Sequence, residues 1–115
     1  MRHYAIYLIE EEIVEYYVGQ EYKLFQLFKE YEQNSRIQPI IKKQIDYITK
    51  RIPTHSLNQL IRNSLYHKKE YDCKDYEHSL WLLKGKSKAT LNVYENYLEL
   101  IATGSFEAES TFFEV

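Results

Sequence analysis

From Glu10 to Tyr31 the chain reads EEEIVEYYVGQEYKLFQLFKEY, and apolar or aromatic positions recur more often than one buried stripe requires. A helix that buries one side needs an apolar arc of about 100°. Ile13, Val14, Tyr16, Tyr17 and Val18 before Gly19, then Tyr22, Leu24, Phe25, Leu27, Phe28 and Tyr31, exceed that arc. Upstream, His3 to Ile9 is a run of aromatic and aliphatic residues with several β-formers, which predicts a first strand. Glutamates at 10–12 favour a helix start, where the macrodipole stabilises negative charge. A short helix is expected over about 11–18, closed by Gly19 just past its end. A second, about 20–32, places Leu24, Leu27, Phe28 and Tyr31 on one face.

After a polar connection, QNSRIQP, Pro39 suits the first turn of a third helix with Ile41, Ile45 and Ile48 as its core stripe. Ile52-Pro53 breaks the pattern, because the residue before proline avoids the helical region. Thr54 or Ser56 is the expected cap of a fourth helix whose inner side carries Leu57, Leu60, Ile61 and Leu65. Beyond Tyr66 the period changes. KDYEHSLWLLKG reads as one strand, followed by a turn at Gly85-Lys86-Ser87-Lys88. ATLNVYENYLELIATG reads as a hairpin tipped by Glu95-Asn96, with Leu91, Val93, Leu98, Leu100 and Ala102 alternating inward. Ser105 is the expected cap of a last helix in FEAESTFFEV. The fold class this implies is α/β: a single small domain over 1–115, its mixed or antiparallel sheet covered by helices.

On a wheel of the third helix centred on Ile41, Ile40, Gln44 and Tyr47 fall together roughly 60–120° to one side. Ile13 and Tyr17, four apart, share a face of the first helix. Two small patches of like character suggest one partner surface, with Ile40 and Tyr16 on its flank. A wider core, with Ile13 and Ile40 buried under a neighbouring element, accounts for the pattern equally well.

Composition sharpens this. The 115 residues include twelve Tyr against one Trp and five Phe. Tyrosine joins an apolar face to a polar tip and is enriched at protein contacts, although most such rings simply rim a core. Net charge is −2 and the fifteen Lys and Arg are dispersed, so the electrostatic footprint of direct nucleic-acid binding is lacking. A single cysteine, Cys73, forbids an intramolecular disulfide and suits a reducing cytoplasm. No segment has the pattern of a signal peptide or the ~20 apolar residues of a membrane span.

Sites of chemistry are sparse. His3, His55, His67 and His78 lie far apart, without metal-ligand spacing, and read as surface or strand-end residues. Gly85-Lys86-Ser87 resembles the end of a phosphate-binding loop, but Leu80 stands where that loop needs glycine. Asp72 and Asp75 disfavour a thiolate at Cys73. Neither catalytic residues, nor a metal, nor a cofactor is expected.

Four stretches then carry a resemblance. RHYAIYLI with the glutamates after it, YYVGQE with LFQLFKEY, KKQIDYIT and GSFEAESTFFEV occur in this order over almost the whole chain. Together they resemble the SirA family, sporulation inhibitors of replication. The resemblance implies a non-enzymatic protein that binds domain I of the initiator DnaA and blocks its assembly at the origin. It further implies partner contacts at Ile13, Tyr17, Gln44 and Tyr47, with Ile13 standing where the family has Phe. The family continues beyond the FFEV motif, so a C-terminal part of the family domain is expected to be missing here. From the residues alone, two alternatives stand beside this reading: a small ligand-sensing or enzymatic α/β domain, and a self-associating adaptor.

Overall fold

In the computed structural model, which describes residues 1–33, 36 and 38–115, the run expected as one strand from His3 to Ile9 divides at Tyr7. Its first part, β1 (Arg2–Ile6), and its second, β2 (Leu8–Ile9), enter different sheets. The division coincides with a boundary between two compact units. One comprises Met1–Ile6 with Arg51–Val115, the other Tyr7–Lys50.

The larger unit adds α4 (Thr54–Leu65), β4 (Tyr71–Lys74), β5 (Glu77–Leu82), β6 (Ser87–Val93), β7 (Leu98–Gly104) and α5 (Glu107–Phe113). Its five strands form an antiparallel sheet in the order β1-β7-β6-β5-β4, which resolves the expected mixed or antiparallel sheet. Tyr4 lies opposite Leu100, Leu100 opposite Leu91, and Leu91 opposite His78, so one row crosses four strands on the core face. Leu80, Ala89 and Ala102 make the next row. Ile61 and Leu65 of α4, with Ala108 and Phe112 of α5, close over these rows. The alternation expected for Leu91, Val93, Leu98, Leu100 and Ala102 is borne out, with residues 94–97 at the hairpin tip.

Four expectations for this unit need correcting. KDYEHSLWLLKG is not one strand: the chain reverses at Asp75-Tyr76, with Asp75 at φ 55°, and β4 pairs with β5. Aspartate tolerates this left-handed conformation better than most residues, which permits so tight a reversal. Neither Thr54 nor Ser56 caps α4, which follows Pro53 without a side-chain cap hydrogen bond. Leu60 is exposed, and Asn58 takes the inner position instead. Ser105 does not cap α5; the free N–H of Ala108 donates to Ser87 Oγ at 2.9 Å, and Ser87 Oγ donates to the Ser105 carbonyl at 2.6 Å. The cap is therefore supplied by a strand distant in sequence.

In the smaller unit, α1 (Glu11–Tyr16), α2 (Glu21–Gln33) and α3 (Gln38–Ile48) fall close to the predicted spans. β3 (Thr49–Lys50), which the sequence pattern did not suggest, pairs antiparallel with β2. The expected QNSRIQP connection falls partly on Asn34, Ser35 and Ile37, which lie outside the described residues. Its ends, Gln33 on one side and Gln38-Pro39 on the other, belong to the helices, and Gln38 Nε2 donates to the Tyr31 carbonyl at 2.8 Å, holding the two helices together. Ile41, Ile45 and Ile48 are buried as the stripe required.

Candidate functional site

The smaller unit carries a groove of about 710 Å³, lined by residues of α1, α2 and α3 and by Tyr17 just past the end of α1. Backbone pairing sets its walls. Leu8 lies opposite Lys50 and Ile9 opposite Thr49, while the Glu10 N–H donates to the Ile48 carbonyl at 2.8 Å. These bonds pin the start of α1 beside the end of α3. Ile13 and Tyr17 consequently project from one side, and Gln44, Tyr47 and Ile48 from the other.

The corner after α1 completes the enclosure. Gly19, at φ 81°, takes a left-handed turn that most residues resist, and the Gly19 N–H donates to Glu21 Oε1 at 3.1 Å. That bond, with one from Glu21's own N–H as the larger cause, holds the Glu21 carboxyl below its usual range. The chain then returns as α2, which contributes Leu24, Leu27 and Lys23 to the lining. Next to this lining on α2, the Phe28 ring packs on Tyr7, with centroids 4.4 Å apart. The Tyr16 and Tyr17 rings meet edge to face at 5.0 Å, so Tyr16 also lines the groove.

All four residues singled out as partner contacts, Ile13, Tyr17, Gln44 and Tyr47, are thus brought into one concave surface. The wider-core alternative fails for α3: Ile40 is 63% exposed and Tyr47 81% exposed, beside an Ile45 that is 4% exposed. Ile40 does not line the groove, whereas the other flank residue, Tyr16, does. Sequence reasoning missed Lys23 and Lys43 on the rim, and it placed Leu24 and Leu27 only on an inner face. The i, i+3 spacing of Leu24 and Leu27 was a visible signal for a shared face, but nothing local marks that face as a groove floor.

This lining supplies apolar contact, ring faces, one amide and two ammonium groups, which is the chemistry of recognition. A second hollow adjoins it at Ile13 and Tyr47, and is walled by Glu10, Glu11, Glu12 and Lys50. Lys50 Nζ lies 3.6 Å from Glu11 Oε1 there. Among the described residues, no group of three His, Cys, Asp or Glu is placed to hold a metal, and no helix is long and apolar enough to cross a membrane.

His78, expected at the surface or a strand end, is instead fully buried in the larger unit. The Gly85-Lys86-Ser87 turn joins β5 to β6, with Leu83, Lys84 and Gly85 all at positive φ, and does not open a helix.

The family model for the sporulation inhibitor of replication protein SirA matches residues 2–115. A curated protein of Bacillus subtilis (strain 168), the sporulation inhibitor of replication protein SirA, is 39% identical over 117 residues. That alignment covers 99% of this chain and 78% of the relative.

Proposed function

The chain belongs to the SirA family, and from that premise we propose that it inhibits initiation of chromosome replication by docking on domain I of the initiator DnaA. Its membership supports the role of replication inhibitor, since that is the role its relative is named for. In this reading it works in the cytoplasm, without catalysis or a cofactor, and acts at the origin only through the initiator.

One observation carries the docking step: Ile13, Tyr17, Gln44 and Tyr47, from two elements well separated in sequence, line a single groove. Exposed tyrosines around an apolar floor have the anatomy of an interface centre, where a few rings supply most of the binding energy. Ile13 offers a smaller apolar knob than the Phe of the family pattern, which suits a partner that reaches further into the groove.

Light scattering of the purified chain, alone and mixed with DnaA domain I of the same organism, tests the proposal. A defined complex that is lost on Tyr47→Ala, in a variant with an unchanged melting temperature, is the expected result. Failure of the unmodified chain to associate with domain I would overturn it. Association of the chain only with itself would favour the adaptor reading instead.

A further inference from the structure

We propose that the groove's occupant presents a carboxylate to Lys23 and Lys43, so that an acidic residue beside an apolar anchor is the element recognised. This rests on reading the groove as the docking face. Two other lysines of the same unit have acidic neighbours, Lys42 pairing with Asp46 at 3.4 Å and Lys50 with Glu11 at 3.6 Å, while Lys29 does not line the groove. Lys23 and Lys43, one from each facing helix, line the groove with no carboxylate within ion-pair distance among the described residues. Two unpaired cations on the rim of an apolar concavity are complementary to an anionic partner group.

The floor reinforces the preference. Leu24 and Leu27 exclude water beside the lysine stems once an occupant is seated, and a charge pair gains strength as the local dielectric falls. Direction follows from the second hollow, where Glu10 and Glu12 stand beyond Ile13 and Tyr47 and would repel the same carboxylate. The occupant is therefore read in one orientation, its acidic residue toward Lys23 and Lys43. The groove volume admits a few side chains, as one exposed face of a protein segment would supply.

Calorimetry with DnaA domain I at low and high salt tests this, using the intact chain and its Lys23→Gln/Lys43→Gln and Lys23→Glu/Lys43→Glu variants. Both positions are exposed; thermal melts are to check that each variant folds, and the single variants K23Q and K43Q serve where a double variant melts early. Neutralisation should weaken binding several-fold and flatten its salt dependence, and charge reversal should weaken it about tenfold or more. Unchanged affinity and salt dependence in folded lysine variants, with binding still lost on Tyr47→Ala, would overturn the charge assignment and leave the docking face standing. No binding by the unmodified chain would remove the docking face, and the charge assignment with it.

Discussion

His78 and Asn58 meet in the core of the larger unit through a 2.6 Å hydrogen bond between the imidazole Nε2 and the amide Oδ1. The oxygen only accepts, so Nε2 carries the proton and Nδ1 receives the Tyr71 hydroxyl at 2.5 Å. Both ring nitrogens are satisfied in the neutral form. Burial first, and the positive charge of Arg62 second, lower the His78 pKa from 6.5 to about 4.

The folded state therefore refuses a proton that the unfolded chain accepts between those values. Stability from this group is complete above pH 6.5, falls as pH drops toward 4, and changes no further below it. At ~1.4 kcal/mol per unit the loss approaches about 3 kcal/mol. Urea midpoints at neutral pH and near pH 4 should show the decline, and His78→Gln should flatten it. Asn58→Ala leaves the Nε2 proton unpaired in the core and should cost about 1–3 kcal/mol at neutral pH.

Gly104 and Gly19 should respond unequally to the same substitution. A Cβ on Gly104 would sit 1.8 Å from the Lys86 carbonyl oxygen, at a φ of +76°. Gly19 has a similar φ of +81°, but a Cβ there would meet no atom within 4 Å. Gly19→Ala should cost only the left-handed strain, about 1–2 kcal/mol. Gly104→Ala adds a backbone collision next to the Ser105-to-Lys86 hydrogen bond and should lose clearly more. Thermal unfolding of the pair measures the difference.

Docking and packing separate on α3. Tyr47 is exposed while Ile45, two residues away, is buried. Tyr47→Ala should keep the melting temperature yet lose roughly thirtyfold or more in partner affinity, the effect of removing a central ring. Ile45→Ala should instead destabilise by about 2–5 kcal/mol. Matching melting temperatures for the two variants would show that Tyr47 is a packing residue.

Arg2 Nε donates to Glu109 Oε1 at 2.5 Å, joining β1 to α5. That bond, aided by the Tyr4 hydroxyl, holds the buried Glu109 carboxyl below the ordinary range. Its contribution is complete above the usual carboxylate pKa and is lost as pH falls through the lowered folded value. Arg2→Ala should raise the Glu109 pKa, followed by carboxyl NMR titration, and should lower the melting temperature at neutral pH.

Local periodicity and end signals by themselves determined helices near 11–18 and 20–32 and a third opening at Pro39, each within about two residues of the observed start, together with the buried stripe of Ile41, Ile45 and Ile48 and the β6–β7 alternation. Each of these depends on which side of an element faces inward, and a spacing of two or of three to four encodes that directly. The Ile40, Gln44 and Tyr47 flank of α3 was visible on the same grounds, but its exposure rather than burial in a wider core was decided by the structure. Only the tertiary structure decided the break at Tyr7, the Asp75 reversal, the capping of α5 by Ser87 and the burial of His78 against Asn58. Each of those rests on a partner distant in sequence or on competition between alternative pairings. The groove belongs to the second kind: Ile13 and Tyr47 were legible as members of two small patches on two helices, but the Glu10-to-Ile48 hydrogen bond and the β2–β3 pairing set them across from one another.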